Sequence, residues 1–311
     1  MILKLNSVTK DYIWGGTRLR DEFGKIGGTR LAESWELSVH PDGMSTISGG
    51  EYDGMTLAAF IEKFPESTGK NSLGSVPILI KLIDAKDNLS VQVHPDNDYA
   101  RKYEGDNGKT ETWYIVDCDE NASIIYGFKD KLTKEEFRAA IADNTLLDKV
   151  NVIPVNKGDV FLIRAGTLHA IGKGCLIAEI QQSSNVTYRV YDYDRRDDAG
   201  NPRELHIEKA LDSADRNPTE IPVKQRDNAD FQQASELVSC EYFTVFREDI
   251  SGSGEIRRND NSFTHILIIE GRGEIISDSD IHAAEKGESF FVTAGTEWHI
   301  KGNCSIIYTV V

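Results

Sequence analysis

Apolar and polar residues alternate in short runs along most of this chain, and glycine, asparagine and aspartate cut the runs. PILIKLID (77–84), ETWYIVD (111–117), ASIIYGF (122–128), DVFLIRA (159–165) and CLIAEIQQ (175–182) all have strand length and strand-like composition. Many short strands joined by close turns predict a mainly β fold of sandwich or barrel type. Two stretches carry a helical period instead: MTLAAFIEKF (55–64) and TKEEFRAAIADNTLLDKV (133–150). The second opens with Thr133 and Glu136 at capping-box spacing. It interrupts the run of strands, so it is expected to be a small helical insertion near 130–150.

The pattern weakens after residue 213. SADRNPTEIPVKQRDNADFQQASE is polar, holds two prolines and has no strong period, so 214–235 reads as a linker or surface crossing. Strand patterns resume in EYFTVFRED, FTHILIIEGRGEII, SFFVTAG and CSIIYTVV. The expected layout is a larger domain over 1–213 and a smaller β domain over 236–311. A weak internal repeat supports two copies of one β fold. KGDVFLIRAGTLHAI (157–171) resembles KGESFFVTAGTEWHI (286–300), but His169 follows its glycine by three residues and His299 by four. An offset of one reverses the facing of a strand residue, so the two copies are not expected to keep the same site.

Composition narrows the partners. The 311 residues are 39% apolar, enough for a sizeable core, and the formal net charge is −16. Nucleic acid and anionic membranes need basic patches, so both are poor partners for this chain. A small anion needs only a few local cations. No apolar run approaches the roughly 20 residues that span a bilayer, and MILKLNSVTKDY lacks a signal-peptide pattern, so a cytoplasmic location is expected. Cys118, Cys175, Cys240 and Cys304 form no CxxC pair and read as reduced, packed thiols.

Candidate chemistry begins in LSVQVHPDNDYA (89–100). Alternation places Gln92 and His94 on the same side of one strand, just before Pro95 ends it. Glu111 opens the next strand, with Lys109 two residues earlier. His169 follows the turn RAGT, where Gly166 permits a tight bend. Two histidines and a carboxylate suit a borderline divalent ion such as zinc, and Gln92 adds a neutral oxygen. Trp14, Trp35, Trp113, Tyr188 and Tyr191 are candidates to line a pocket. Lys173, Arg195, Arg196 and Arg203 are candidates to meet an anion, with ion pairing on a solvated face as the plainer role.

These segments also resemble a known family. Gly158 to His169 looks like the second motif of the cupin superfamily, and QVHPDNDYA followed by GKTETWY resembles the first motif in one branch. That branch is the type I mannose-6-phosphate isomerases, in their short bacterial form. WGGTRL (14–19), AESWELSVHPDG (32–43) and NVTYRVYD agree with it. The resemblance implies two cupin-like β-barrel (jelly-roll) domains. It implies one zinc ion per chain, held by Gln92, His94, Glu111 and His169. It implies interconversion of mannose 6-phosphate and fructose 6-phosphate, with Arg189 and Lys109 as catalytic and substrate-binding residues. Lys173 and Trp14 are further candidates for the substrate. Longer members carry an acidic residue shortly before the arginine, and SSNVTYR has none there.

Aldose–ketose isomerisation moves a proton between adjacent carbons through an enediolate. Cations stabilise the oxygen charge, and a base must reach the carbon-bound proton. Lys109 suits either role. Two other classes fit the same residues. A non-haem iron oxygenase also uses two histidines and a carboxylate, although Gln92 would fill a position such enzymes leave open. A sugar-binding cupin without turnover is the second.

Overall fold

The computed structural model describes residues 1–196, 199–221 and 233–311. Most described residues outside loops are in strands, as the alternating pattern predicts, and the architecture is cupin-like. The hydrogen-bonded sheets are not closed barrels. Each strand order runs as a path with two ends, so closure of the jelly rolls is the part of the expectation that does not hold. Among the described residues no helix is long and apolar enough to cross a membrane.

The chain divides into two compact units, and not at residue 213. One unit combines Met1–Asp11 and Thr17–Leu82 with the C-terminal part from 233 onward, and the other holds Tyr12–Gly16 and 83–221. The reason is backbone pairing at long range. Strand Ile2–Asn6 runs antiparallel to Ser289–Val292, with Ile2 opposite Val292 and Leu5 opposite Ser289. Within this unit Thr264–Ile276 pairs with both Ser289–Val292 and His299–Val310, and Ile266, Ile268, Phe290, Ile300 and Ile306 form its apolar core. Of the expected linker over 214–235, residues 222–232 lie outside the described residues.

The internal repeat is carried into the backbone. Gly158 and Gly287 both have φ of 88°, and Gly166 and Gly295 have φ of 86° and 76°. The offset of the histidines is carried through as well: His169 is fully buried, whereas His299 is only half-buried.

The second unit contains the candidate site. A five-stranded sheet runs in the order Tyr188–Tyr191, Val91–Val93, His169–Ile171, Ser123–Phe128, Val150–Pro154. Its two faces are chemically distinct. Val91, Val93, Ala170, Tyr188 and Val190 join a core with Phe137, Ala210 and Leu211. Those last three residues come from helices Lys134–Ala142 and Ile207–Ser213. Val91 and Val93 are fully buried there, worth about 1.5–3 kcal/mol each. A one-residue slip would drive Gln92 and His94 into that apolar layer. The helical stretch begins as predicted, with Thr133 and Glu136 forming a complete capping box. It then breaks into Lys134–Ala142 and Leu146–Lys149, because Asn144 takes a left-handed conformation at φ 61°.

Candidate metal centre and active site

The opposite face of the five-stranded sheet carries one polar row. Arg189 and His169 both stand directly opposite Gln92, and Tyr126 stands opposite His169. Directly paired residues share a face, so Arg189, Gln92, His169 and Tyr126 point the same way, with His94 two residues beyond Gln92. A second set of strands supplies the other side: Glu111–Cys118 lies between Val160–Ile163 and Cys175–Gln182. Trp113 packs its ring edge-on to His169 at 5.4 Å, and Tyr126 Oη–H donates to the Leu162 carbonyl.

His94, Glu111 and His169 converge between these layers. One ligand atom from each lies within 4.8 Å of the others, and this is the single such group among the described residues. His94 Nε2 is 3.5 Å from Glu111 Oε2, and His169 Nε2 is 3.5 Å from Glu111 Oε1. Atoms about 2.1 Å from one tetrahedral zinc ion sit roughly 3.4 Å apart, so these spacings match. The imidazoles are also correctly oriented. His94 Nδ1–H donates to the Val186 carbonyl and His169 Nδ1–H to the Thr167 carbonyl, both at 2.8 Å. A carbonyl only accepts, so each Nδ1 carries the proton and each Nε2 keeps its lone pair. Among the described residues no hydrogen bond reaches His94 Nε2 or Glu111 Oε1, although both atoms are buried. Buried orphan acceptors are costly, and a cation is the partner this donor set fits. Gln92 Nε2 lies 3.4 Å from His169 Nε2. An amide nitrogen does not ligate, so Gln92 would hold a cation through its carbonyl oxygen.

Protonation states agree with that fit. Burial, reinforced by the Lys109 cation, pushes the His94 imidazole down to about 3. Burial lowers His169 as well. Burial alone would raise the Glu111 carboxyl, but the Lys109 cation beside it opposes this, and the group is held well below its usual range. Neutral imidazoles and an ionised carboxylate are the forms that bind metal.

Lys109 and Arg189 flank the cluster. Lys109 is buried, its Nζ 3.0 Å from Glu111 Oε2 and 3.8 Å from Glu179 Oε1. Its backbone N–H donates to the Pro95 carbonyl at 3.0 Å, so the turn after His94 also fixes the lysine. The preceding residue must be glycine, because a Cβ at Gly108 would stand 2.4 Å from the Asp96 carbonyl carbon. Arg189 Nε donates to Ser90 Oγ at 3.1 Å and Nη1 to the Glu204 carbonyl at 2.9 Å. Its Nη2 makes no hydrogen bond among the described residues.

Other candidates are exposed or engaged with different partners. Lys173 is exposed on the turn before Cys175, at the far end of a strand whose Gln181 pairs with Glu111. Trp14 is buried with its ring tilted against Tyr12 at 5.6 Å. Arg195 and Arg203 both pair with Asp192, and Arg196 Nη1 donates to the Gly200 carbonyl at 2.9 Å. Glu179 escaped the sequence reading. It is buried, and its Oε2 accepts from Trp113 Nε1 at 3.1 Å. The available signal was one acid inside the apolar run CLIAEIQQ.

Comparison with known proteins identifies the family. The catalytic domain of phosphomannose isomerase type I matches residues 2–125, and the mannose-6-phosphate isomerase cupin domain matches 233–311. A mannose-6-phosphate isomerase of Streptococcus mutans is 40% identical over 313 residues, covering 98% of this chain and 96% of that protein. The crystal structure of mannose 6-phosphate isomerase from Bacillus subtilis superposes with a TM-score of 0.90 at 39% identity, over 100% of this chain and 99% of that one. A mannose 6-phosphate isomerase bound with zinc and yttrium shares the fold at 16% identity and a TM-score of 0.77, over 99% of each chain. The chain belongs to the type I phosphomannose isomerases, a family of cupin-fold mannose-6-phosphate isomerases.

Proposed function

We propose that this chain interconverts mannose 6-phosphate and fructose 6-phosphate, using one zinc ion held by Gln92, His94, Glu111 and His169. The observation that carries the reading is the buried meeting of two neutral imidazole Nε2 atoms with an ionised carboxylate, beside one buried lysine and one arginine. When bound, zinc would supply a positive charge that polarises the sugar oxygens.

The chain's own residues would do the rest. Arg189, fixed by Ser90 and by the Glu204 carbonyl, offers its remaining terminal nitrogen to an oxygen of the sugar or of the developing enediolate. Lys109 Nζ lies within hydrogen-bond reach of Glu111 and would hold or relay the proton that moves between the two carbons. The apolar layer behind Gln92 and His94 keeps water from the ligands' rear.

The test combines metal quantification with a coupled assay on mannose 6-phosphate. About one zinc per chain is expected, with turnover lost on chelation and restored by zinc. Full turnover in metal-free protein would overturn the zinc assignment. Failure to isomerise with zinc supplied would leave a sugar-binding cupin instead.

A further inference from the structure

Two thiols lie opposite each other at the end of the site's second layer that is remote from Glu111. Cys118 closes the strand Glu111–Cys118, Cys175 opens Cys175–Gln182, and the two are directly paired across these antiparallel strands. Backbone hydrogen bonds define the kind of pair. The neighbouring Asp119 N–H donates to the Gly174 carbonyl at 2.9 Å, while the Cys175 carbonyl turns away to accept from Ala85 N–H at 2.9 Å. Pairs alternate along such a ladder, so Cys118 and Cys175 form a non-hydrogen-bonded pair, with Cα atoms about 4.5 Å apart. A disulfide spans Cα separations of about 4.4–6.8 Å.

The side chains also converge. Cys118 Sγ lies 3.5 Å from the Val155 carbonyl and Cys175 Sγ 3.9 Å from the Ser123 carbonyl. Those two carbonyls belong to adjoining residues, since Val155 N–H bonds to the Ala122 carbonyl and Ser123 pairs with Pro154. Both sulfurs are free, Cys118 partly exposed and Cys175 buried.

We infer that Cys118 and Cys175 form a reversible cross-strand disulfide when the protein meets hydrogen peroxide. The Cys118 thiolate attacks one peroxide oxygen. An S–O bond forms, the O–O bond breaks, and the departing hydroxide takes a proton to leave as water. Cys175 sulfur then attacks Cys118 Sγ. The S–S bond forms, the S–O bond breaks, and the hydroxide leaves as water with the Cys175 proton. Two thiols lose two protons and two electrons in total, and one peroxide becomes two waters. The reaction is expected to be slow. Burial pushes the Cys175 thiol up to about 12 and, with Asp117 adding to it, raises Cys118 too, and the thiolate is the reactive form.

The test uses the full chain, reduced and then exposed to hydrogen peroxide, alkylated, digested and mapped by mass spectrometry. A linked peptide pair joining Cys118 to Cys175 is expected, with titratable thiols falling from four to two and returning on treatment with dithiothreitol. In Cys175→Ser the linked pair should vanish and Cys118 should carry sulfenic or sulfinic acid. Sulfinic acid on Cys118 of the unmodified chain without a cross-link would overturn the inference. So would a bridge through Cys240 or Cys304, or four thiols unchanged at peroxide levels that oxidise the chain's methionines.

Discussion

Gln92 and His169 stand directly opposite each other on neighbouring strands, with their Nε2 atoms 3.4 Å apart across 77 residues of sequence. The pairing makes the candidate cluster a property of sheet register. One strand contributes Gln92 and His94 on a single face, and the next contributes His169 to the same row. Perturbing that register or its charge balance has separable consequences.

Lys109→Met removes the cation beside Glu111 while keeping an unbranched chain of similar length. Turnover should fall by about 10²–10⁴-fold while the zinc content stays near that of the unmodified protein. The coupled assay and metal analysis on one preparation report both quantities. Near-normal turnover would exclude Lys109 from the chemistry.

Arg189→Ala should also retain zinc, because the arginine touches none of the ligand atoms by hydrogen bond. It should lower kcat by roughly 10²–10³-fold, the range seen when one donor to a developing oxyanion is lost. Loss of bound zinc in this variant would show that the arginine positions Gln92 instead.

Gly166→Ala tests the turn that delivers His169. Gly166 has φ of 86°, and an added Cβ would stand 3.2 Å from the Ser213 carbonyl oxygen. Its N–H donates to the His94 carbonyl at 2.8 Å, so strain here reaches both histidines. A loss of about 1–3 kcal/mol in urea unfolding is expected, together with weaker zinc binding in a competition titration. Gly105→Ala is the control, since Gly105 also has positive φ but open space around it. If both variants bind zinc equally, the turn does not set the ligand geometry.

Asp192→Asn bears on pH. Burial opposes ionisation of the Asp192 carboxyl, but hydrogen bonds from Arg203 and Arg195 outweigh it and hold the group below the ordinary aspartate value. A depressed folded-state value gives stability that is present above the unfolded value, about pH 3.9, and lost as pH falls through the folded one. The variant should therefore be less stable near neutrality and should lose less stability on acidification below about pH 4. Thermal melts across an acid series would show the two curves converging. Parallel curves would mean that Asp192 is not the group titrating.

The sequence made the candidate cluster legible because each of its residues leaves a local mark. Gln92 and His94 keep strand parity, Glu111 opens an apolar run, and Gly166 announces the bend before His169. The groups that orient the two imidazoles leave none. Val186 and Thr167 act through their carbonyl oxygens, which every residue type carries. Glu179 was hidden for a related reason, since a single acid in a strand reads as a surface residue until its partners Trp113 and Lys109 are seen. The division of the chain was illegible because β pairing at great sequence separation leaves no periodic trace. Composition marked the polar stretch after 213, but nothing in MILKLN indicates that Ile2 will stand opposite Val292.

That last pairing bears on how the protein is made. Ile2, Leu3 and Leu5 are buried in the finished structure, yet the strand that covers them is synthesised about 290 residues after they are. At ribosomal speeds of about 5–20 residues per second, this apolar segment waits roughly 15–60 s for this second partner. The unit that carries the candidate cluster draws on no part of the chain from 233 onward, so its strands are free to pair during that interval. The half that holds the candidate site can therefore be complete on the ribosome while one edge of the opening strand, the one not paired with Thr46–Ser48, is still open, and that edge is where aggregation of the nascent chain would begin.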